Sequence, residues 1–71
     1  MQNKIAYPNL KAEMARKSLT IQNLADEIYR SREAMSDKLL LKRPLHLWEA
    51  FKIRDVFFAD MDLDYLFSEK D

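Results

Sequence analysis

The sequence contains no cysteine, so it offers no disulfide, no thiolate metal ligand and no thiol nucleophile. It has one histidine, His46, which makes a zinc site remote because zinc usually takes several His and Cys ligands. No segment approaches the roughly 20 apolar residues that span a bilayer. Residues 1–5 lack the apolar centre of a signal peptide. These absences favour a cytoplasmic protein that binds neither a metal nor a membrane.

Glycine is also absent, and there are only two prolines. Any turn that needs a positive φ must therefore use another residue type, which disfavours tight β-hairpins. No alternating apolar and polar pattern extends beyond a few residues, so strands are not indicated. A chain of 71 residues that is 48% hydrophobic can build one modest core. We predict a single all-α domain over residues 1–71, with an ordered core at about 8–67.

The charges balance overall but are unevenly placed. Residues 1–44 carry nine Lys and Arg against five Asp and Glu, whereas residues 45–71 carry three against seven. The first part could face an anion such as DNA. The acidic second part argues against wholesale non-specific binding of nucleic acid, because such proteins depend on many phosphate contacts.

Apolar spacing along the chain predicts five helices joined by short loops. Their expected ranges are about 8–17, 21–28, 32–40, 47–58 and 63–67. The residue types that precede the later helices predict N-caps at Thr20, Ser31, His46 and Asp62. In the third helix, Met35 and Leu39 are expected to point into the core.

The segment from Leu19 to Leu39, LTIQNLADEIYRSREAMSDKL, resembles the helix-turn-helix of the Cro/lambda-type repressor family. Leu24-Ala25, Ser31-Arg32 and Met35 stand at the family's spacing, and the ending Asp64-Tyr65-Leu66-Phe67 is similar to small temperate-phage switch proteins of Gram-positive hosts. The resemblance covers about residues 8–67. It implies a lambda-repressor-like domain in which helices 2 and 3 form the helix-turn-helix. It also implies a regulator of transcription in a phage or prophage genetic switch.

In that family, helix 3 lies in the major groove and its first residues touch base edges. Carried over by position, this implies base contacts from Arg32, Glu33 and Asp37, with Ser36 nearby. Phosphate contacts are implied for Gln22, Lys42 and Arg43, and Arg30 belongs to the same DNA-binding set. The partner would be a double-stranded operator, and tight binding would need a homodimer on it.

Three departures from the family pattern affect this interpretation. Tyr29 and Arg30 replace the usual glycine and aliphatic residue of the turn, so Tyr29 implies strain or a different turn. Leu40 and Leu41 stand where Asn-Gly is frequent, so apolar surface is either exposed there or partly buried against helix 4. In addition, helix 3 carries two carboxylates on the side that would meet phosphates.

These departures support an alternative, in which the protein is an antirepressor that binds a repressor's own DNA-reading domain. The acidic residues of helix 3 would then mimic phosphates against a basic surface. The partner-binding residues of this alternative are Arg30, Arg32, Glu33, Asp37, Leu40 and Leu41. A third interpretation is an ordinary solvated helix face with local ion pairs.

The remaining motifs point to structure rather than chemistry. The triplet Asp60-x-Asp62-x-Asp64 imitates the start of a calcium loop, but Tyr65 and Asp71 occupy the positions that need Gly and Glu. No constellation of nucleophile and base suggests an enzyme, a cofactor or a small-molecule substrate. Six aromatic residues of the C-terminal half are expected in the core, with a dimer or partner surface as the alternative. They are Trp48, Phe51, Phe57, Phe58, Tyr65 and Phe67.

Overall fold

The computed structural model describes residues 6–69, and within that range every regular element is a helix. The five helices are α1 (Pro8–Arg16), α2 (Ile21–Glu27), α3 (Arg32–Leu39), α4 (Leu47–Phe57) and α5 (Leu63–Leu66). Each begins at the predicted residue and ends one residue earlier than predicted. The predicted lead-in at 1–7 and the chain end at 70–71 lie largely outside the described residues.

Local side-chain bonds explain where α2 and α3 begin. The Thr20 hydroxyl accepts the backbone N–H of Asn23, and the Asn23 side chain accepts the Thr20 N–H in return. The Ser31 hydroxyl accepts the backbone N–H of Ala34 at 3.1 Å. Both predicted caps are therefore confirmed. Asp62 occupies the N-cap position of α5 without a side-chain cap bond.

One apolar cluster joins the helices, and it includes Met35 and Leu39 as predicted. The other buried members come from the other four helices and from the segments beside them: Tyr7, Leu10, Met14, Leu24, Ala25, Ile28, Ile53, Phe58 and Leu66. The radius of gyration is 10.9 Å, which matches the value of about 11 Å expected for a close-packed chain of this length.

The pairing of helices leaves α3 at one side of the molecule. α2 packs on α3 and α4, while α5 packs on α1 and α4. A hydrogen bond and an aromatic contact stabilise the packing of α1 on α5. The Asn9 side chain donates to the Tyr65 carbonyl at 2.8 Å, and the rings of Tyr7 and Phe67 meet edge-on with their centres 5.3 Å apart. No helix among residues 6–69 is both long enough and apolar enough to cross a membrane.

Three bends use the left-handed backbone region although the chain has no glycine. Ser18, Tyr29 and Leu41 have φ angles of 56°, 58° and 61° and lie just beyond the ends of α1, α2 and α3. Non-glycine residues are uncommon in this region, and the strain is greatest for bulky ones. The strain predicted at Tyr29 is therefore present, and the backbone has the φ that glycine would supply more easily.

The C-terminal aromatic residues do not all enter the core. Phe58 is fully buried and Phe57 and Phe67 are partly buried, as expected of core residues. Trp48 and Phe51 stay exposed, because they lie on the outer face of α4, opposite buried Ile53. Tyr65 is also 41% exposed, so the prediction of a common aromatic core is correct for three of the six residues and wrong for Trp48, Phe51 and Tyr65.

Candidate functional site

The outer face of α3 presents the residues that the sequence singled out for base contact. Arg32 and Glu33, in the first turn, are exposed, and no other side chain among residues 6–69 forms an ion pair with either of them. Ser36 and Asp37, one turn later, are partly buried on the neighbouring strip of the helix. The start of α3 therefore carries one free cation and one free carboxylate side by side.

The turn that leads into α3 holds Tyr29 and Arg30. Tyr29 is 88% exposed, so its ring packs on little of the molecule. The backbone N–H of Arg30 donates to the Ala25 carbonyl at 3.0 Å, which closes the end of α2. The Arg30 side chain turns towards α4 rather than along α3.

A buried carboxylate explains that direction. Glu49 of α4 is fully buried and accepts from Arg30 Nε at 3.0 Å through Oε2. Its Oε1 lies 3.1 Å from Lys38 Nζ and accepts the backbone N–H of His46 at 2.9 Å. Lys38 is itself buried and donates to the Pro44 carbonyl at 3.1 Å. We call Arg30, Lys38 and Glu49 the buried ion cluster.

The buried ion cluster also sets the acidity of its carboxyl group. Burial raises the pKa of Glu49, but the His46 N–H and the side chains of Lys38 and Arg30 together outweigh it. The pKa of Glu49 is therefore held below its ordinary value. The carboxylate stays charged at neutral pH and fixes the turn, α3 and α4 relative to one another.

Three other candidate contact residues lie near the outer face of α3, and they differ in whether their side chains are already bonded. Gln22, at the start of α2, donates to Asp26 at 2.7 Å, and Arg43 lies 3.4 Å from Asp37. Both pairs are exposed to solvent, so each is weak and could be replaced by a contact with a phosphate. Lys42 is exposed and has no ion-pair partner among the described residues.

The two leucines after α3 behave differently from each other. Leu40 is partly buried, whereas Leu41 is 45% exposed and takes a positive φ. Exposed apolar surface therefore exists at the end of α3 and is due to Leu41. Together with Tyr29, it places an exposed large side chain at each end of the helix.

Sequence reasoning missed Glu49 and Lys38. The signal for Glu49 was present, because it stands three residues after the N-cap His46, where a Glu often bonds back to the cap backbone. Lys38 gave no such signal, since it reads as an ordinary solvent-facing lysine on a short helix. Its burial depends on an acid eleven positions further along the chain.

The described part of the chain brings together no cluster of metal ligands. Among residues 6–69, no three His, Asp or Glu side chains are placed so that they could hold a metal ion. His46 lies at the N-cap of α4 and contributes its backbone N–H, as described above. No family model matches the chain, and no curated protein or solved structure matches it.

Proposed function

We propose that the protein is a helix-turn-helix regulator of transcription that binds operator DNA through α3. The observation that carries this proposal is the free, exposed Arg32 in the first turn of α3, on a helix that packs against α2 across a four-residue turn. In helix-turn-helix proteins, the first residues of the second helix reach the base edges of the major groove. The resemblance of residues 19–39 to the Cro/lambda-type family supports the same assignment.

In this mode, each residue of the first turn has a distinct partner. Arg32 would donate two hydrogen bonds to guanine O6 and N7, and Glu33 would accept one from cytosine N4. Ser36 would lie near the same base edges one turn later, and Lys42 would contact a phosphate beyond the end of α3. The buried ion cluster keeps Arg30 beside α4, so its role would be to hold α3 in place.

The charge of this face sets an upper limit on the affinity of one copy. Arg32 and Lys42 are free cations, and Arg43 has only a weak partner in Asp37. Each neutralised phosphate contributes about −0.9 to the slope of log K against log salt, so the two cations assigned to phosphates, Lys42 and Arg43, should give one copy a slope of about −2. Tight binding would therefore need two copies on a palindromic site.

The test is a titration of the purified protein with duplex DNA from upstream of its own gene at two salt concentrations. Arg32→Ala should weaken binding by about 1–3 kcal/mol and relax the sequence preference at one position. Lys11→Ala is the matched control, because Lys11 is an exposed cation of α1. Equal affinity of the Arg32→Ala variant and the parent would exclude Arg32 as a base contact.

A second candidate is an antirepressor that binds the DNA-reading domain of a partner repressor. The observation that favours it is the exposure of Tyr29 and Leu41 at the two ends of α3. Exposed aromatic and large apolar side chains are typical of protein contacts, and Leu41 has no polar group to offer a phosphate. Glu33 and Asp37 would then face the basic surface that the repressor uses for DNA.

This candidate is tested by adding the protein to a purified lambda-type repressor, with and without that repressor's operator DNA. Glu33→Lys should abolish the complex between the two proteins, because it places a cation against a basic surface. Asp60→Lys, which reverses an exposed charge far from α3 in sequence, serves as the control. A Glu33→Lys variant that binds the repressor normally would remove phosphate mimicry as the mechanism.

A further inference from the structure

A cleft of about 480 Å³ lies between the start of α4 and α5, on residues that the proposed function does not use. We call it the α4–α5 cleft. Small-molecule sites in proteins occupy about 300–1,000 Å³, so it has room for a small organic ligand. Apolar and aromatic side chains form most of its lining: Tyr7, Leu45, Leu47, Ala50, Leu63 and Phe67.

One polar group of the lining, the hydroxyl of Tyr7, has no hydrogen bond to any other group among residues 6–69. Tyr7 is only 6% exposed, and the hydroxyl of a buried tyrosine usually has a partner. Because this side chain lines the α4–α5 cleft, a ligand bound there could supply the missing bond. The unpaired hydroxyl distinguishes the cleft from an ordinary depression of the surface.

The charge around the α4–α5 cleft is negative. Asp64 and Glu69 both line it, both are exposed, and neither forms an ion pair within the described range of the chain. In that range, no lysine or arginine lines the cleft, and the only basic side chain in the lining is His46. The charge of Glu69 acts on the Tyr7 hydroxyl, because burial and, to a smaller extent, this charge raise the pKa of Tyr7. The cleft therefore combines apolar walls with two carboxylates that lack a counter-charge.

We propose that the α4–α5 cleft binds a small organic ammonium ion, meaning a primary amine carried on an aromatic or aliphatic hydrocarbon group. The hydrocarbon group packs against Ala50 and Phe67, where the burial of apolar area stabilises the complex. The ammonium group donates to the Tyr7 oxygen and faces the carboxylates of Asp64 and Glu69. Ammonium ions are also attracted to the faces of aromatic rings. An anion would be repelled by both carboxylates, and a neutral ligand would leave them without a counter-charge.

The probe is benzylamine, a cation at neutral pH, and its neutral counterpart is benzyl alcohol, which has the same ring and the same length. Each is titrated into the full chain, and nitrogen–proton correlation NMR follows the backbone amide signals. We expect benzylamine to shift signals of the segments 45–50 and 63–69 and to bind about fivefold more tightly than benzyl alcohol, the effect of one exposed ion pair. Benzoate should shift neither segment. Since DNA and repressor are absent, failure of this test leaves the proposed function unaffected.

Two variants test the carboxylates and the hydroxyl separately. Asp64→Asn combined with Glu69→Gln should lower the affinity for benzylamine to that for benzyl alcohol, and should leave benzyl alcohol binding unchanged. Tyr7→Phe keeps the ring and should weaken benzylamine binding about threefold, the effect of one hydrogen bond. Asp60→Asn removes an exposed carboxylate that does not line the α4–α5 cleft and should change neither affinity. The same spectra show whether each variant is folded, which separates a loss of binding from a loss of structure.

Three outcomes would overturn the proposal. The first is the absence of any saturable shift with benzylamine. The second is equal affinity for benzylamine and benzyl alcohol, or a benzylamine affinity that the combined Asp64 and Glu69 variant does not change, since either would mean that the cleft does not select a cation. The third is saturable binding whose shifts lie outside the segments 45–50 and 63–69, which would place the ligand elsewhere on the molecule.

Discussion

Tyr29 combines a strained backbone conformation with an exposed side chain. Its φ of 58° lies in the region that glycine reaches most easily, and its ring is almost entirely in solvent. A left-handed backbone costs a non-glycine residue about 1–2 kcal/mol. The fold gains little packing from the ring in return, so Tyr29 contributes a net cost to the stability of the folded chain.

Replacing this residue should therefore stabilise the protein. Tyr29→Gly removes the left-handed strain, partly offset by the greater freedom of glycine in the unfolded chain, for a net gain of about 1 kcal/mol. Urea unfolding measures the change. Tyr29→Ala keeps a Cβ at the strained position and should give no such gain. Equal stability of the Gly and Ala variants would show that the turn is not strained.

At the level of helices, the buried ion cluster is the main polar link between α3 and α4. Glu49 lies on α4, Lys38 on α3 and Arg30 in the turn before α3, and all three meet within 3.1 Å contacts. Helix α3 is only eight residues long, so its own hydrogen bonds do not fix its direction. The cluster adds directional bonds where the apolar contacts of Met35 and Leu39 are non-directional.

Removing the charge of Glu49 should weaken the protein strongly. Glu49→Gln has nearly the same shape but leaves the buried Lys38 without a counter-charge, at a cost of about 3 kcal/mol or more. Thermal or urea unfolding measures the loss. Glu27→Gln makes the same substitution at an exposed position of α2 and should change stability little. A small loss in the Glu49→Gln variant would mean that Lys38 finds water or another partner.

Individual helices could largely be predicted from the sequence because their signals are local. Thr20 and Ser31 cap the residues three places further on, and the apolar spacing around Leu24 and Met35 selects the buried faces. Such interactions involve neighbours in the chain, so a pattern reveals them. The left-handed turn at Tyr29 was also indicated by a local signal, because Tyr29 stands where the turn of the similar family usually has glycine.

The features that were missed depend on residues far apart in the chain. Arg30 and Glu49 are nineteen positions apart, and no local pattern shows that one will bind the other. The exposure of Trp48 has the same origin, since α4 could turn either of two apolar sides towards the core. The side that includes Ile53 is buried because it faces the cluster contributed by the other helices. The sequence thus names candidate contact residues on and around α3, which stay a prediction, but it does not reveal the cluster that holds Arg30.

For the whole molecule, folding shifts the pKa values of Glu49 and Tyr7, and these two shifts bound a range of pH in which the free energy of unfolding should be constant. The pKa of Glu49 is lowered in the folded state, so its contribution is complete above its ordinary value of 4.5 and declines as the pH falls towards the folded value. Burial, with a smaller effect of Glu69, raises the pKa of Tyr7 above 10.0. Above pH 10.0 the unfolded chain loses that proton first, so stability should decline again.

Thermal unfolding at a series of pH values tests both limits. We expect a plateau between them, with a fall on the acid side that becomes less steep in Glu49→Gln. Tyr7→Phe should likewise make the alkaline fall less steep, because phenylalanine has no proton to lose. An acid fall of the same steepness in Glu49→Gln and the parent would assign it to other carboxyl groups.

The contact between α1 and α5 also indicates how the connectivity of the chain could be changed by circular permutation. Tyr7 packs on Phe67, and Asn9 bonds to the Tyr65 carbonyl, so the first and last described segments lie side by side. A short linker could join them, and new termini could be opened at the exposed bend 41–44 between α3 and α4. Such a circular permutant would keep every helix while breaking the direct connection between Lys38 and Glu49, which would then be joined only through the new linker. Folding of the permutant would show that the buried ion cluster assembles without the direct connection between α3 and α4.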